Sequence, residues 1–246
     1  MTKPLSNNIA LLTGASRGIG YATALALAKA GAHVIATART VGGLEELDDA
    51  IKAEGGTATL VPLDLRDTDG IARLALALNE RYQRLDVLIG NAGVLGPPSP
   101  LGHVEPAPWD EAIAVNVTAN FHLIRTMDPL LRAAPAGRAV FVTSGAATNT
   151  RAYRGPYSVT KAALNALALT YAAETVTTHV RVNLINPGPT RTRMRAALMP
   201  GEDPMSVKPV ETVAERIVAM CLPDFQETGK LYDCEQGRLL TMQSPA

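Results

Sequence analysis

The chain has 246 residues, 47% of them hydrophobic, which suffices for one α/β domain with a sizeable core and leaves little for a second. Its 23 basic and 23 acidic residues balance, and no basic stripe or polybasic amphipathic helix indicates nucleic acid or a membrane surface as a partner. Two irregularly spaced cysteines imply neither a disulfide framework nor a zinc site. The polar N-terminus and the lack of a long apolar run leave a soluble cytoplasmic protein as the default expectation.

Short apolar segments alternate along the chain with longer helical segments. This order is typical of a parallel sheet covered by helices on both faces, and it predicts one Rossmann-like, doubly wound α/β domain over residues 1–246 with about seven strands. The predicted strands are residues 9–13, 33–38, 57–63, 87–90, 139–143, 181–186 and 230–234. The predicted helices are residues 18–30, 41–54, 67–81, 109–132, 156–177 and 211–220.

A glycine-rich turn follows the first predicted strand and leads directly into an alanine- and leucine-rich helix. Gly14 permits a tight turn, Gly18 lets the backbone approach a diphosphate, and Gly20 lets the helix pack near the sheet. The helix N-terminus offers free N–H groups and a positive dipole end to the same diphosphate. The spacing G-x-x-x-G-x-G differs from the usual dinucleotide fingerprint, but the strand–turn–helix order favours a nucleotide site over a loop without a ligand.

Tyr157 and Lys161 lie four residues apart on one predicted helix and therefore on the same face. An ammonium near a phenol favours the phenolate and lowers the pKa of the tyrosine, which makes an acid or base usable near neutral pH. The same spacing is also common on solvated helix surfaces, so the pair carries weight only beside a second signal. The glycine turn supplies that signal.

The glycine turn, Asn91-Ala92-Gly93, Ser144, Tyr157-x-x-x-Lys161 and Pro187-Gly188 occur in a fixed order between about residue 8 and residue 192. Their order and separations resemble the short-chain dehydrogenase/reductase (SDR) family in its single-domain form. The resemblance implies an NAD(P)-dependent oxidoreductase that interconverts a small-molecule carbonyl and an alcohol by hydride transfer, usually as a homotetramer or homodimer. Asp-Cys-Glu at 233–235 departs from the Asp-Gly-Gly turn of many members, which affects the last strand rather than the active site.

The resemblance also implies roles for four catalytic residues and requires no metal. Tyr157 is the general acid/base, and Lys161 stabilises the phenolate and holds the nicotinamide ribose. The Ser144 hydroxyl holds the carbonyl oxygen as negative charge develops on it. Asn116 holds a water that relays protons to the lysine. A non-catalytic, nucleotide-sensing protein on the same fold is the alternative that the intact set of four argues against.

Cofactor choice depends on the residue after the second strand, where an acid would bind the adenosine ribose of NAD(H). Ala38 stands there instead, and Arg39 and Arg17 would pair with a 2′-phosphate, to which Ser16 adds a hydroxyl. NADP(H) is therefore preferred, with NAD(H) possible. The resemblance assigns Asp64 to the adenine amino group. For Asn91, a contact with the cofactor and a purely structural role are the two alternatives. The predicted cofactor-binding residues are Gly14, Ser16, Arg17, Gly18, Ile19, Gly20, Arg39, Asp64, Leu65, Asn91, Ala92, Gly93, Tyr157, Lys161, Pro187, Gly188, Thr190 and Thr192.

Two loops rich in proline, at residues 95–108 and 194–209, are expected beside the ligand, and we expect a substrate loop and lid at about 190–210. Apolar side chains dominate the candidate substrate pocket and suggest a mostly apolar ligand with one carbonyl, although they fit lid packing equally well. The candidates are Leu95, Ala146, Tyr153, Met194, Leu198 and Met199.

Overall fold

Eight β-strands form a single sheet in the computed structural model, which describes residues 3–242. The strand order is β3-β2-β1-β4-β5-β6-β7-β8, and all neighbours are parallel except β8, which runs antiparallel to β7. The strands are β1 (Ile9–Thr13), β2 (His33–Ala38), β3 (Thr57–Pro62), β4 (Val87–Gly90), β5 (Arg138–Val142), β6 (Arg181–Asn186), β7 (Lys230–Asp233) and β8 (Arg238–Thr241).

Helices cover both faces of this sheet because the buried strands carry apolar side chains on both sides. In β1, Ile9 and Leu11 belong to one core cluster and Ala10 and Leu12 to the other, as the alternation of side chains along a strand requires. The helices are α1 (Gly18–Lys29), α2 (Val41–Ala53), α3 (Thr68–Tyr82), α4 (Pro106–Ile113), α5 (Ala119–Ala133), α6 (Gly155–Glu174), α7 (Arg193–Leu198) and α8 (Val210–Met220). Buried residues of α3, α5 and α6 join the first cluster, and those of α1, α2 and α8 join the second.

The predicted doubly wound α/β fold is confirmed, with one strand more than expected. β8 is short and lies at the sheet edge, so its two leucines gave a weak strand signal. The single helix predicted for residues 109–132 is in fact α4 and α5, joined by a π-helical turn at Ala114–Thr118. The six residues of α7 lie inside the segment that was expected to be a loop.

The strand order reverses at β1, which has β2 on one side and β4 on the other. A crevice opens beyond the carboxyl ends of the strands at such a point, and ligands of doubly wound sheets bind there. This topology brings the glycine turn after β1 close to the residues that follow β4, β5 and β6. Between residues 3 and 242, no helix has the length and apolar character needed to cross a membrane.

Candidate active site

A cleft of about 1230 Å³ lies at this edge of the sheet. All the residues predicted to bind the cofactor line it, as do three of the four predicted catalytic residues, Ser144, Tyr157 and Lys161. Asn116 does not line the cleft and is completely buried behind its wall. The topology therefore gathers residues that lie as far apart in the sequence as Gly14 and Thr192 into one site.

The glycine turn has the geometry of a phosphate cradle. Gly18 has a φ of +58°, which favours glycine, and a Cβ placed there meets only the Thr192 side chain, at 3.6 Å. A Cβ on Gly20 would lie 2.2 Å from the Gly14 carbonyl oxygen, so α1 starts as close to the strand end as a glycine allows. The result is backbone exposed at the cleft floor next to a helix N-terminus, which suits a diphosphate.

Asn91 fastens the end of β4 to the end of β1. Its Nδ2 donates to the Thr13 carbonyl oxygen at 2.8 Å, and its backbone N–H donates to Thr13 Oγ1 at 3.0 Å. The Ala92 N–H donates to the same hydroxyl at 3.1 Å. These contacts support the structural alternative for Asn91, although the residue also lines the cleft.

Lys161 is almost entirely buried and points towards the face of Tyr157. Its Nζ lies 5.7 Å from the centroid of the Tyr157 ring and donates to the Val142 carbonyl oxygen at 2.8 Å. Burial lowers the pKa of the lysine to about 8. A Cβ on Gly93 would lie 3.4 Å from Nζ and 3.2 Å from Asn116 Oδ1, so the lysine head and the asparagine both pack close to this glycine.

The Tyr157 phenol does not have the lowered pKa that the sequence predicted. Burial raises its pKa above the ordinary value, while the nearby Ser144 hydroxyl and Arg154 guanidinium oppose the shift. The expected lowering was wrong because the desolvation of the phenolate outweighs the charges around it. The spacing of residues in the sequence predicts which groups are neighbours, but it does not predict how deeply each group is buried.

Ser144 is fixed at the end of β5 by a short turn. Its Oγ accepts a hydrogen bond from the Ala146 N–H at 3.2 Å, and the Gly145 N–H donates to Asn186 Oδ1 at 2.9 Å. The hydroxyl thus faces the cleft beside Tyr157 and is placed to hold a carbonyl oxygen.

Asn116 uses its side chain for protein contacts, and the water relay expected of it stays a prediction. Its Oδ1 accepts from the Val94 N–H at 2.8 Å, and its Nδ2 donates to the Val94 carbonyl at 2.9 Å and to Thr160 Oγ1 at 2.9 Å. Its own carbonyl accepts from Asn120 Nδ2 at 2.9 Å. Asn116 therefore clamps the loop after β4 to helix α6, which carries Tyr157, and the π-helical turn allows this placement.

The adenosine end of the cleft is basic. Ala38 leaves no acid at the end of β2, and Arg17 and Arg39 are exposed on the wall. Arg39 Nη1 lies 3.8 Å from Glu111 Oε1 in a half-exposed contact, which costs little to break. Asp64 lines the cleft, but its carboxylate accepts from the Arg66 side chain, and this contact holds the pKa of Asp64 below its ordinary value.

Asn186 organises the nicotinamide end of the cleft, and the sequence analysis did not find it. The Oδ1 of this buried side chain accepts from the N–H groups of Gly145 and Gly188, and its Nδ2 donates to Asp233 Oδ2 at 3.1 Å. Asp233 in turn accepts from the Glu235 N–H at 2.8 Å, so the unusual Asp-Cys-Glu segment forms a regular turn. The sequence signal that could have indicated this residue is an asparagine at the end of a predicted buried strand.

The substrate end is more polar than predicted. Four of the predicted pocket residues line the cleft there, and Tyr153 and Met199 do not. Asn149, Arg151 and Arg154 line it as well, and sequence reasoning missed all three. The lining residues among the predicted six are Leu95, Ala146, Met194 and Leu198. Within residues 3–242, no cluster of three or more histidine, cysteine or acidic side chains is placed to hold a metal ion.

The cradle at Gly18, where a Cβ would meet only the Thr192 side chain, fits the diphosphate of a nicotinamide dinucleotide, and comparisons with known proteins agree. A family model described as short chain dehydrogenase matches residues 8–203. The uncharacterized oxidoreductase YciK of Escherichia coli is 35% identical over 238 residues, covering 95% of this chain and 94% of that protein. The mouse dehydrogenase/reductase SDR family member 4 is 33% identical over 195 residues, covering 79% of this chain and 70% of that protein.

A similar solved structure gives the same result. A chain from Shigella flexneri, described as a short chain dehydrogenase complexed with NADP, superposes with a TM-score of 0.91 at 34% identity, covering 96% of this chain and all of that one. This chain therefore belongs to the short-chain dehydrogenase family. It is an NAD(P)-dependent oxidoreductase of that family.

Proposed function

We propose that this chain is an NADP(H)-dependent reductase of carbonyl compounds, or dehydrogenase of the corresponding alcohols, with Tyr157 as general acid/base. One observation carries the proposal: the glycine cradle, Ser144, Tyr157 and buried Lys161 share one cleft. When bound, the nicotinamide supplies or accepts the hydride. Ser144 Oγ holds the carbonyl oxygen, and Tyr157 Oη gives that oxygen its proton in reduction and takes the proton back in oxidation. Lys161 stabilises the phenolate that forms.

The raised pKa of Tyr157 suits reduction. The phenol keeps its proton near neutral pH and is ready to donate it, and the phenolate left behind faces the positive charge of Lys161. Asn116 supports this arrangement indirectly, because it ties the wall of the cleft to α6.

The preference for NADP(H) is supported by the charges at the adenosine end. Arg17 and Arg39 offer two guanidinium groups to a 2′-phosphate, and no acid at position 38 repels it. Related chains from Shigella flexneri and Escherichia coli were crystallised with NADP and NADPH, respectively. NAD(H) remains the alternative cofactor that a direct titration would identify.

The test of activity is a panel of carbonyl compounds with NADPH oxidation followed by absorbance. Tyr157→Phe should lower kcat by roughly 10²-fold or more and still bind NADPH, because it removes a proton donor and little else. Tyr153→Phe is the matched control, since this exposed ring does not line the cleft. Full activity of Tyr157→Phe would refute the mechanism. Tight NADPH binding with no turnover across the panel would favour the nucleotide-sensing alternative.

The test of cofactor preference is a titration of NADPH and NADH against the double variant Arg17→Gln/Arg39→Gln. Hydrogen bonds to charged groups contribute about 1.5–3 kcal/mol, so affinity for NADPH should fall roughly tenfold or more while affinity for NADH stays nearly constant. Arg73→Gln, a change at an exposed arginine outside the cleft, is the control. Stronger binding of NADH than NADPH by the unchanged protein would refute the charge argument.

We also infer a homo-oligomeric, cytoplasmic protein, with a dimer or tetramer formed through the long helices α5 and α6. Phe121 on α5 and Val159 on α6 are large apolar side chains that are each more than 40% exposed in the isolated chain. Light scattering coupled to gel filtration measures the assembly directly, and a monomer at micromolar concentration would contradict this inference.

A further inference from the structure

Two arginines line the cleft at its substrate end, on the same wall as the catalytic tyrosine. Arg151 and Arg154 lie in the turn that leads into α6, and Arg154 is the residue that precedes the helix, three positions before Tyr157. The Arg154 charge is close enough to the phenol to oppose the effect of burial on its pKa. These two side chains are therefore at the reaction end of the cleft and not at its adenosine end.

The backbone between the two arginines is strained. Tyr153 has a φ of +67°, an uncommon conformation for a bulky residue. Its ring is 61% exposed and does not line the cleft, although the flanking Arg151 and Arg154 both do. Such strain is costly and collects at functional sites, where it places particular side chains. Here it turns an aromatic ring outwards and leaves two guanidinium groups on the wall.

Neither arginine forms a salt bridge within the described part of the chain, residues 3–242. The contact recorded for the Arg154 head group is a weak one, from Nη2 to the Met199 sulfur at 3.9 Å. Arg195, which also lines the cleft, is by contrast paired with Glu202. A guanidinium with only a thioether as its side-chain acceptor keeps a planar set of donors that matches a carboxylate or phosphate.

We propose that the substrate carries an anionic group, a carboxylate or a phosphate, a few bonds from the reacting carbonyl, and that Arg154 binds this group with Arg151 beside it. The proposal rests on the proposed reductase function and narrows its substrate class from neutral carbonyls to oxo acids or oxo phosphates. A two-point contact between Arg154 and the anion orients the substrate so that its carbonyl oxygen meets Ser144 and Tyr157.

The test compares matched pairs of substrates that differ in charge. We would measure NADPH-dependent reduction of 2-oxobutanoate, 3-oxobutanoate and 4-oxopentanoate against their methyl esters, and of dihydroxyacetone phosphate against dihydroxyacetone. At least one anion should exceed its neutral partner roughly tenfold or more in kcat/KM. The pair that shows the preference identifies a carboxylate or a phosphate as the bound group.

Arg154→Gln should remove that preference by raising KM for the anion roughly tenfold, while the neutral partner changes by less than about threefold. Arg154→Lys should restore part of it, because the charge returns without the planar pair of donors. Arg73→Gln is again the control. A general structural role of Arg154 would instead weaken both members of each pair alike, and that result would overturn the proposal, as would neutral partners that are reduced as well as the anions.

Calorimetric titration of the same compounds keeps the two proposals separate. If NADPH binds but no carbonyl is reduced, the reductase function fails, and the anion site is then decided by binding alone. Binding of the anion but not of its neutral partner, lost in Arg154→Gln, would support the site. Equal binding of both partners, or equal binding by the variant, would overturn it.

Discussion

Replacement of Lys161 by methionine tests whether the buried ammonium lowers the stability of the folded protein while it serves catalysis. The lysine is 3% exposed and its head group donates to the Val142 carbonyl oxygen. Burial lowers its pKa from 10.5 to about 8, so the protonated form is disfavoured in the folded protein. Methionine has a similar length and no charge, and we expect Lys161→Met to be more stable than the unchanged protein at pH 7.

The magnitude follows from linkage between proton binding and folding. Below pH 8 the lysine is protonated in both states, and the folded state carries the whole penalty, which a shift of this size puts at about 3 kcal/mol. Loss of the hydrogen bond to Val142 offsets about 1 kcal/mol of the gain, which leaves about 2 kcal/mol for the variant. Between pH 8 and pH 10.5 the unfolded chain binds a proton that the folded one does not, so the unchanged protein gains stability relative to the variant as pH rises.

Urea denaturation at a fixed protein concentration, repeated from pH 6.5 to 9.5, measures this effect. The advantage of Lys161→Met should shrink by about 2 kcal/mol between pH 7 and pH 9.5, while its reductase activity is lost at every pH. Lys29→Met, at an exposed lysine, controls for the removal of one charge. A stability difference that does not change over this pH range would refute the reasoning.

Three further changes test the framework of the fold and of the site by urea denaturation. Gly20→Ala places a Cβ 2.2 Å from the Gly14 carbonyl and should cost about 1–3 kcal/mol, together with NADPH binding; unchanged binding would contradict the close approach. Asn116→Leu removes the clamp on Val94 and should cost about 1–3 kcal/mol and reduce kcat more than NADPH affinity; an effect on affinity alone would argue against positioning. Arg138→Met leaves the part-buried Leu222 and Pro223 carbonyls without their donor and should cost about 3 kcal/mol; a neutral result would show that water replaces the guanidinium.

Local sequence patterns were enough to predict the layers of the fold and the main motifs of the site. Strands buried on both faces form continuous apolar runs, and a glycine turn between a strand and a helix is a local feature, so both are visible without tertiary information. β8 and α7 were missed because each is four to six residues long and lacks the periodicity that marks longer elements. The π-helical turn was missed because the hydrogen bonds of Asn116, which lies in it, reach Val94 in a loop earlier in the sequence, and such contacts leave no local pattern.

The features of the fold and of the site that sequence did not predict depend on burial or on contacts distant in the chain. Arg138 begins β5 and is almost fully buried, where it donates to backbone carbonyls that include those of Leu222 and Pro223. The sequence around Arg154 is typical of a surface residue before a helix. In the structure, the turn at Tyr153 places Arg154 on the cleft wall. The pKa of Tyr157 is set by desolvation, a property of the folded site as a whole.

The pKa shifts of the two catalytic groups have a common cause and opposite signs, and both favour the neutral form. Burial raises the pKa of Tyr157 and lowers that of Lys161, so the site disfavours a phenolate and an ammonium separately. The proton transfer creates the phenolate beside an ammonium, and each charge then lessens the cost of the other in a low-dielectric site. Because an anionic substrate would neutralise Arg154, Lys161 would be left as the main positive charge that stabilises the phenolate. The stabilisation of the phenolate therefore depends more strongly on Lys161 when the substrate is an anion.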